Sequence, residues 1–536
     1  MAEPTPPKLT TWQSLQAVAS SWRLASTTLL MFSSSLPLGL VWIAIPAWMA
    51  RIGVDIKTIS LFGLAQLPWN FKFMWSPFMD RYTPPFLGRK RGWMLITQVA
   101  LFVFTLGLAG AARHPDAIWV IGAYALAIAF ASASQDIAYD AYTVEVLRKE
   151  EYPPFVAARG LMGRGALFLS GGLAITLAAS WSWPVVNLLL ACCYVPMMVV
   201  TWLAPEPEVS VVPPTTLRAA VWEPFVGFLA QHRAVEILMF VVLFKLSDNL
   251  TQALLRPFFV ELGFNDTDVG AGSMAAGTVA MIAGTAVGGL LTGVMGLGRA
   301  LWVTGFLQIF SNLGYALLAD AGPSRPILYA AQLVEMGTSG LGTGAFGVLL
   351  LRLTQKRFSA TQYALLSSLM AITRSFTVPI AGVLIATIGW RNFFIFTVLS
   401  GIPGVIMLHR FVPWSVRDPV FHVAEPKRGA PLTRADLLTR AIVAGVLTSG
   451  FAAVFMAVLN ALGRYRAGEA FDIGARLQAF PHQLMAILFP ASLGAKATAF
   501  GVLVSGLMIG LTVAATLAAR RGIADDARTE PGPPPA

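Results

Sequence analysis

Apolar runs of about 20 residues follow one another along nearly the whole chain, each long enough to cross a hydrocarbon core of about 30 Å as a helix. In lipid every backbone N–H and C=O has to be satisfied within the protein, so runs of this kind fold as membrane-spanning helices. With 56% hydrophobic and 12% charged residues among 536, the chain lies outside the soluble norm of roughly 45–50% apolar and about 25% charged. A soluble enzyme is excluded, and an all-α polytopic membrane protein is expected. The 48 glycines and 34 prolines fit this reading, because glycine lets helices approach closely and proline is tolerated where neighbours satisfy the freed carbonyls.

The polar start through Arg23 leads directly into the first apolar run, so no cleavable signal peptide is expected. Residues 1–26 read as a tail, and 27–203 as a six-helix half with spans at 27–49, 57–79, 93–112, 118–141, 159–179 and 183–203. A polar linker at 204–234 carries Leu217, Val221, Phe225, Phe228 and Leu229 at helical spacing and reads as a short interfacial helix. A second six-helix half follows over 235–412, with spans at 235–259, 269–295, 299–318, 326–350, 361–387 and 391–412. Residues 413–439 form a loop, 440–519 hold two additional spans at 440–461 and 496–519, and 520–536 read as a disordered tail. The total is about fourteen helices. The last pair lies outside the two-half unit and is expected to be dispensable for a central pathway. Roughly two thirds of the 38 Lys and Arg fall on one side if the N-terminus is cytoplasmic, so both termini, the 80–91 loop and 413–439 are expected in the cytoplasm.

Several chemistries are unsupported. Cys192 and Cys193 are adjacent in an apolar run and form neither a disulfide framework nor a metal cluster. His114, His232, His409, His422 and His482 fall in or near predicted loops, so no intramembrane histidine site is available for a metal or for acyl transfer. No phosphate-binding Gly-x-x-x-x-Gly-Lys loop occurs. The net charge of +11 is scattered among connecting segments rather than gathered in a stripe, which argues for membrane topology and against nucleic acid. No catalytic residue, metal, cofactor or obligate protein partner is expected; the bilayer is the partner.

Charges within the spans are few, and each implies a cavity or a partner. Asp136 and Asp140 are four apart on one helix face, where repulsion and burial suit a proton carrier; Glu335, beside a glycine-rich run, is a third carboxylate of that kind. The bland alternatives are that Asp140 anchors nearby arginines, that Asp136 bonds a neighbouring helix, and that Glu335 pairs with Arg374. Lys72 has Trp69 and Trp75 three residues to either side, a face suited to a sugar bearing carboxylates, or else a lysine snorkelling through an aromatic belt. Trp42 and Trp48 read as belt residues near an interface. Lys245 and Asp248, three apart, pair with each other or open onto a substrate. Arg164 and Arg374 stay charged and grip carboxylates bidentately. Each lies eight residues before a glycine, Gly172 and Gly382, on corresponding helices of the two halves.

Asp80-Arg81 followed by Gly88-Arg89-Lys90-Arg91 between the second and third spans resembles the loop signature of the major facilitator superfamily. The stretch Asp80 to Trp93, with its inserted Tyr82-Thr83-Pro84-Pro85-Phe86-Leu87, is similar to the AmpG-type muropeptide permease family. So are Phe71-Lys72-Phe73, Trp75-Ser76-Pro77, Ser132-Ala133-Ser134-Gln135-Asp136, Leu203-Ala204-Pro205-Glu206-Pro207 and Phe358-Ser359-Ala360-Thr361-Gln362, in that order, together with the two extra C-terminal helices. The resemblance implies a fold of two six-helix halves and proton-coupled import of anhydromuropeptides across a bacterial inner membrane for peptidoglycan recycling. Asp80, Arg81, Gly88, Arg89 and Lys90 then read as a gate, pairing with neighbouring helix ends in one state and parting in the other. Alternatives are an acetyl-CoA or other amphiphilic-anion transporter, a membrane enzyme acting on lipid-linked glycans through carboxylates such as Asp136, and a sensor without turnover.

Overall fold

The computed structural model describes residues 21–523 except 56–57, 60–61, 115–117, 209–211, 266, 422–428, 467–481, 483–484 and 486–492. His422 and the two terminal tails before residue 21 and after 523 lie outside the described residues. Among the described residues the secondary structure is helical, with one isolated β-bridge, Leu432 to Ile523. Ten helices are long and apolar enough to cross a membrane. They are helix one (Trp22–Arg51), three (Arg89–Ala111), four (Ile118–Val146), five (Lys149–Trp181), six (Trp183–Leu203), eight (Asp268–Met295), nine (Leu297–Ala321), ten (Arg325–Leu353), twelve (Ile388–Phe411) and thirteen (Arg434–Phe455). Helix eleven runs from Ser359 into helix twelve, turned at Gly389, whose φ of 76° is open to a residue without a Cβ. Helix fourteen is Leu493–Arg521. By this measure of unbroken apolar length the expected fourteen crossings are not all reached.

Two expected spans differ from the continuous helices predicted for them. Helix two is broken into Gly63–Gln66, Leu67–Phe71, Lys72–Met74 and Ser76–Arg81. Pro68 and Pro77 each sit in the first turn of a new α segment, where a missing N–H costs nothing. Helix seven is likewise in three pieces, Ala234–Phe244, Leu246–Ala253 and Leu255–Glu261, with breaks at Lys245 and Leu254. Interrupted helices at membrane depth are tolerated where protein or a water-filled cavity surrounds them.

The linker helix, Leu217–Leu229, is present, capped by Thr216, whose Oγ1 accepts from the Ala219 N–H at 3.0 Å. It is not simply laid on the lipid surface. Phe225, Phe228 and Leu229 are buried against the bundle, and Trp222 and Val226 also pack with Leu437 and Ala518 of the last two helices. Only Leu217 and Val221 of the predicted stripe stay exposed.

The apolar core is shared at one end and divided at the other. At the end bearing the basic 80–91 loop, a single cluster joins both halves, including Tyr139, Phe155, Phe228, Phe240 and Phe346. At the opposite end the first half has its own cluster around Trp48, Trp69 and Tyr194, and the second half another around Phe258, Tyr315 and Phe394. The apolar core is thus continuous between the halves at the basic-loop end and divided beyond it. Trp48 is accordingly not a belt residue: it is 1% exposed and stacked on Trp183 at 5.0 Å.

Candidate functional site

Between the halves lies a cavity of about 390 Å³. Helix one contributes Ser35 and Trp42, helix five Arg159 and Arg164, and the second half Phe346, Tyr363 and Arg374. Its size and mixed lining of aromatic and charged groups suit an organic anion. Trp42, expected in an interfacial belt, instead forms part of this wall and meets Trp69 edge-on at 5.5 Å.

Arg164 and Arg374, matched by their spacing to glycine in the two halves, line the same cavity. Neither has an acidic partner among the described residues; Arg164 Nη2 touches Met281 Sδ at 3.2 Å. A guanidinium in such a wall has the fork of N–H donors that matches a carboxylate. The other substrate residues expected from the sequence, Lys72, Trp69, Trp75, Lys245 and Asp248, are not part of its lining.

Lys72 is not a free ammonium between two indoles. The tight turn Lys72–Met74 directs Trp75 toward helix four, where its Nε1 donates to Ser134 at 3.1 Å and its ring lies 4.8 Å from Phe130. Lys72 Nζ stands 3.7 Å from Asp136 Oδ2 and 3.6 Å from Asp140 Oδ2. Asp136 also accepts from Ser34 on helix one. Asp140 accepts from Arg159 Nη2 at 2.7 Å, and Arg159 Nη1 donates to the Tyr363 hydroxyl at 3.2 Å, across to the second half. Two cations and two carboxylates make a neutral cluster, and a buried charge needs such partners.

Arg159 was missed because helix five was expected to begin at residue 159. The α segment instead starts at Tyr152, with Pro153 and Pro154 in its first turn, where proline is at home. A start at these prolines places Arg159 two turns inside, on the cavity wall.

The second half holds another buried polar cluster. Lys245 Nζ bonds Asp248 Oδ2 at 3.1 Å, Gln308 Oε1 at 3.2 Å and the Ser339 carbonyl at 3.2 Å. Ser339 Oγ donates to Asp248 at 2.5 Å, and Gln252 Nε2 reaches both Ser339 Oγ and Glu335 Oε1 at 3.3 Å. Glu335 does not pair with Arg374. Asp248 Oδ1 and Gln308 Nε2 are buried without a hydrogen-bond partner among the described residues.

At the basic-loop end the halves are tied by charge. Asp80, fully buried, accepts from Lys90 Nζ at 2.6 Å and from the Thr361 N–H and hydroxyl at 2.8 Å each, so it caps the first turn of helix eleven across the interface. Arg89 meets Glu145 at 2.6 Å, and Ser359 Oγ donates to the same carboxylate at 2.5 Å. Gly88, with φ of 71°, turns the chain into helix three beneath these pairs. Arg81, expected among the gate residues, lies over the ring of its neighbour Tyr82 at 5.2 Å and makes no ion pair among the described residues. Glu145, which joins Arg89, Lys90 and Ser359 here, sits at the end of a long apolar helix and carries no local signal in the sequence.

Residues 27–377 match the Major Facilitator Superfamily profile. The chain is 41% identical over 388 residues to the anhydromuropeptide permease of Escherichia coli K12, covering 72% of this chain and 79% of that protein. The chain belongs to the AmpG-type permeases of the major facilitator superfamily. The putative transporter AmpG 4 of Rickettsia conorii is 28% identical over 404 residues, covering 73% of this chain and 97% of the relative. Among solved structures, the E. coli fucose:proton symporter aligns with a TM-score of 0.57 at 12% identity, over 72% of this chain and 97% of that one. A bacterial homologue of the iron transporter ferroportin in an outward-facing state aligns with a TM-score of 0.55 at 14% identity, over 76% and 100%. These two share the fold. An AmpG-type permease is a transporter and not an enzyme.

Proposed function

We propose that this permease carries anhydromuropeptides from the periplasm to the cytoplasm of a Gram-negative bacterium, together with protons, and so serves peptidoglycan recycling. The observation that carries the reading is the opposed pair Arg164 and Arg374 on one cavity, in a chain 41% identical to an anhydromuropeptide permease. Lactyl and peptide carboxylates would meet the guanidinium groups, while the apolar faces of the sugar rings would rest on Trp42 and Phe346. Asp136 with Asp140, and Glu335 behind them in the second half, are the carboxylates available for proton coupling; Lys72 holds the first two, and Lys245 holds Asp248.

The positive-inside bias puts the basic-loop end, both termini and residues 413–439 in the cytoplasm of the inner membrane. The sealed end is then cytoplasmic, with Asp80, Arg89, Lys90 and Glu145 as its latch, and the cavity is reached from the periplasm. The domain limits proposed are 27–203 and 235–412 for the halves, with 204–234 between them. Labelling of Phe86→Cys from the periplasmic side alone would reverse this orientation.

The test is uptake of labelled anhydromuropeptide into inverted-free, right-side-out vesicles with and without an imposed proton gradient. Gradient-driven accumulation that falls at least tenfold in Arg374→Gln is expected, corresponding to roughly 1.4 kcal/mol or more of lost anion binding. Accumulation of acetyl-CoA with none of the muropeptide would replace the cargo.

A further inference from the structure

The four charges of the first-half cluster are not equally placed. Lys72, Asp136 and Asp140 stand behind the cavity wall, and Arg159 alone of the four forms part of it. Its guanidinium has one side on Asp140 Oδ1 at 2.7 Å and another on the Tyr363 hydroxyl at 3.2 Å, and it lies against the rings of Tyr139 and Phe155 at 5.3 and 5.9 Å. Any anion that enters the cavity therefore competes with Asp140 for a cation already balanced inside the protein.

We propose that Arg159 exchanges partners, leaving Asp140 for a carboxylate of the cargo, and that each such exchange is accompanied by one proton bound by the Asp136–Asp140 pair. This rests on the reading of the cargo as a carboxylated anion. The charge balance is explicit. Before exchange, Lys72 and Arg159 offset Asp136 and Asp140. Once Arg159 turns to the incoming carboxylate, Lys72 is left with two carboxylates in a buried site, an arrangement that disfavours one of the two charges. A proton from the water of the cavity neutralises one oxygen, and cargo carboxylate plus proton enter with no net charge. Linkage makes the process reciprocal: protonating the pair frees Arg159 and so favours binding.

The groups facing the pair are few. Helix one presents Ser34 to Asp136, helix two Lys72, helix five Arg159, and helix eleven Tyr363 through Arg159. Tyr139 lies between the two aspartates on helix four, but its hydroxyl is committed to the Thr27 carbonyl at 2.9 Å. None of these offers a second cation to take over when Arg159 leaves.

The first test needs no cargo. Arg159→Gln mimics departure of the guanidinium, and infrared difference spectra of the purified full chain at neutral pH should show a new protonated-carboxyl C=O band relative to the native protein. The band should be lost in Arg159→Gln/Asp140→Asn, where Lys72 and Asp136 balance again, and should be absent in the charge-conserving Arg159→Lys, which also controls for folding. Absence of the band in Arg159→Gln, or its persistence with Asp140→Asn and with Asp136→Asn alike, overturns the proposal.

The second test adds GlcNAc-anhydroMurNAc-tripeptide to native protein in weak buffer. Uptake of one proton per ligand bound is expected, with loss of that uptake in Arg159→Gln. Binding without proton uptake overturns the exchange and leaves the cargo intact. The expected infrared band with no binding of this probe supports the charge linkage and overturns the cargo.

Discussion

Each half buries a cluster of lysine and carboxylates, and the two are built differently. In the first, Lys72 and Arg159 balance Asp136 and Asp140, and Arg159 reaches the cavity. In the second, Lys245 faces Asp248 with Glu335 near by, none of the three lines the cavity, and Asp248 keeps an oxygen without a partner among the described residues. A balanced cluster with one member on the wall can trade that member for a ligand. A cluster behind the wall, whose lysine sits at a helix break and also holds Gln308 and the Ser339 carbonyl, is suited to fastening a broken helix to its neighbours.

The largest expected effect follows from removing each lysine. Lys72→Met leaves two carboxylates to one arginine and should destabilise the protein by about 3–5 kcal/mol, read as a lowered melting temperature in detergent. Lys72→Met/Asp140→Asn restores neutrality and should recover most of the loss. In the second half Lys245→Met/Asp248→Asn should recover little, because Gln308 and the Ser339 carbonyl stay stranded. Equal recovery in both halves would break the comparison.

Next comes coupling. Asn at position 136 mimics the protonated acid, so Asp136→Asn should abolish gradient-driven accumulation and spare exchange, which needs no net proton movement. Accumulation that survives this substitution moves coupling to Glu335 and the second half. A smaller change is expected for Ser34→Ala, which removes one bond to Asp136: about 1 kcal/mol in stability, with coupling retained. Complete uncoupling by this variant would show that the hydroxyl, not the arginine, governs the pair.

The smallest effect calibrates the others against an exposed carboxylate. Arg148 and Arg23 donate to Glu208 at 2.5 and 2.7 Å and hold its carboxyl below the usual glutamate range. A lowered carboxylate contributes stability that is present above its ordinary titration range and is lost as pH falls through the lowered value. Melting curves of Glu208→Gln and native protein should therefore differ slightly at neutral pH and converge in acid. A difference that persists in acid would assign Glu208 a packing role.

The sequence made the fold largely legible, because runs of apolar residues have one solution in lipid and their order carries the family's motifs. It was less informative about continuity. A window of hydropathy passes over Pro68 and Pro77 without notice, although each restarts helix two and together they decide where Lys72 points. Arg164 and Arg374 stand out in the sequence because a spacing repeats in both halves, a signal independent of exact helix ends, and both line the cavity. Arg159 and Glu145 lie near ends, where an error of a few residues moves a charge from the interior to a loop. Trp48 shows the converse: a tryptophan near a helix end has the composition of a belt residue, and only its stack on Trp183 places it inside.

Helices eight and ten touch backbone to backbone. A Cβ at Gly284 or Gly288 would collide with the carbonyl oxygens of Gly337 and Leu341, and one at Gly340 or Gly344 with those of Met281 and Thr285. At these four glycines main chain lies directly on main chain, so one helix cannot slide past the other without driving into carbonyl oxygens. During a transport cycle the pair must turn as a single plate. A distance measured between labels on its two members should stay constant while labels across the Asp80–Thr361 latch separate, and the pliable parts of the permease are then the interrupted helices two and seven, whose breaks are its joints.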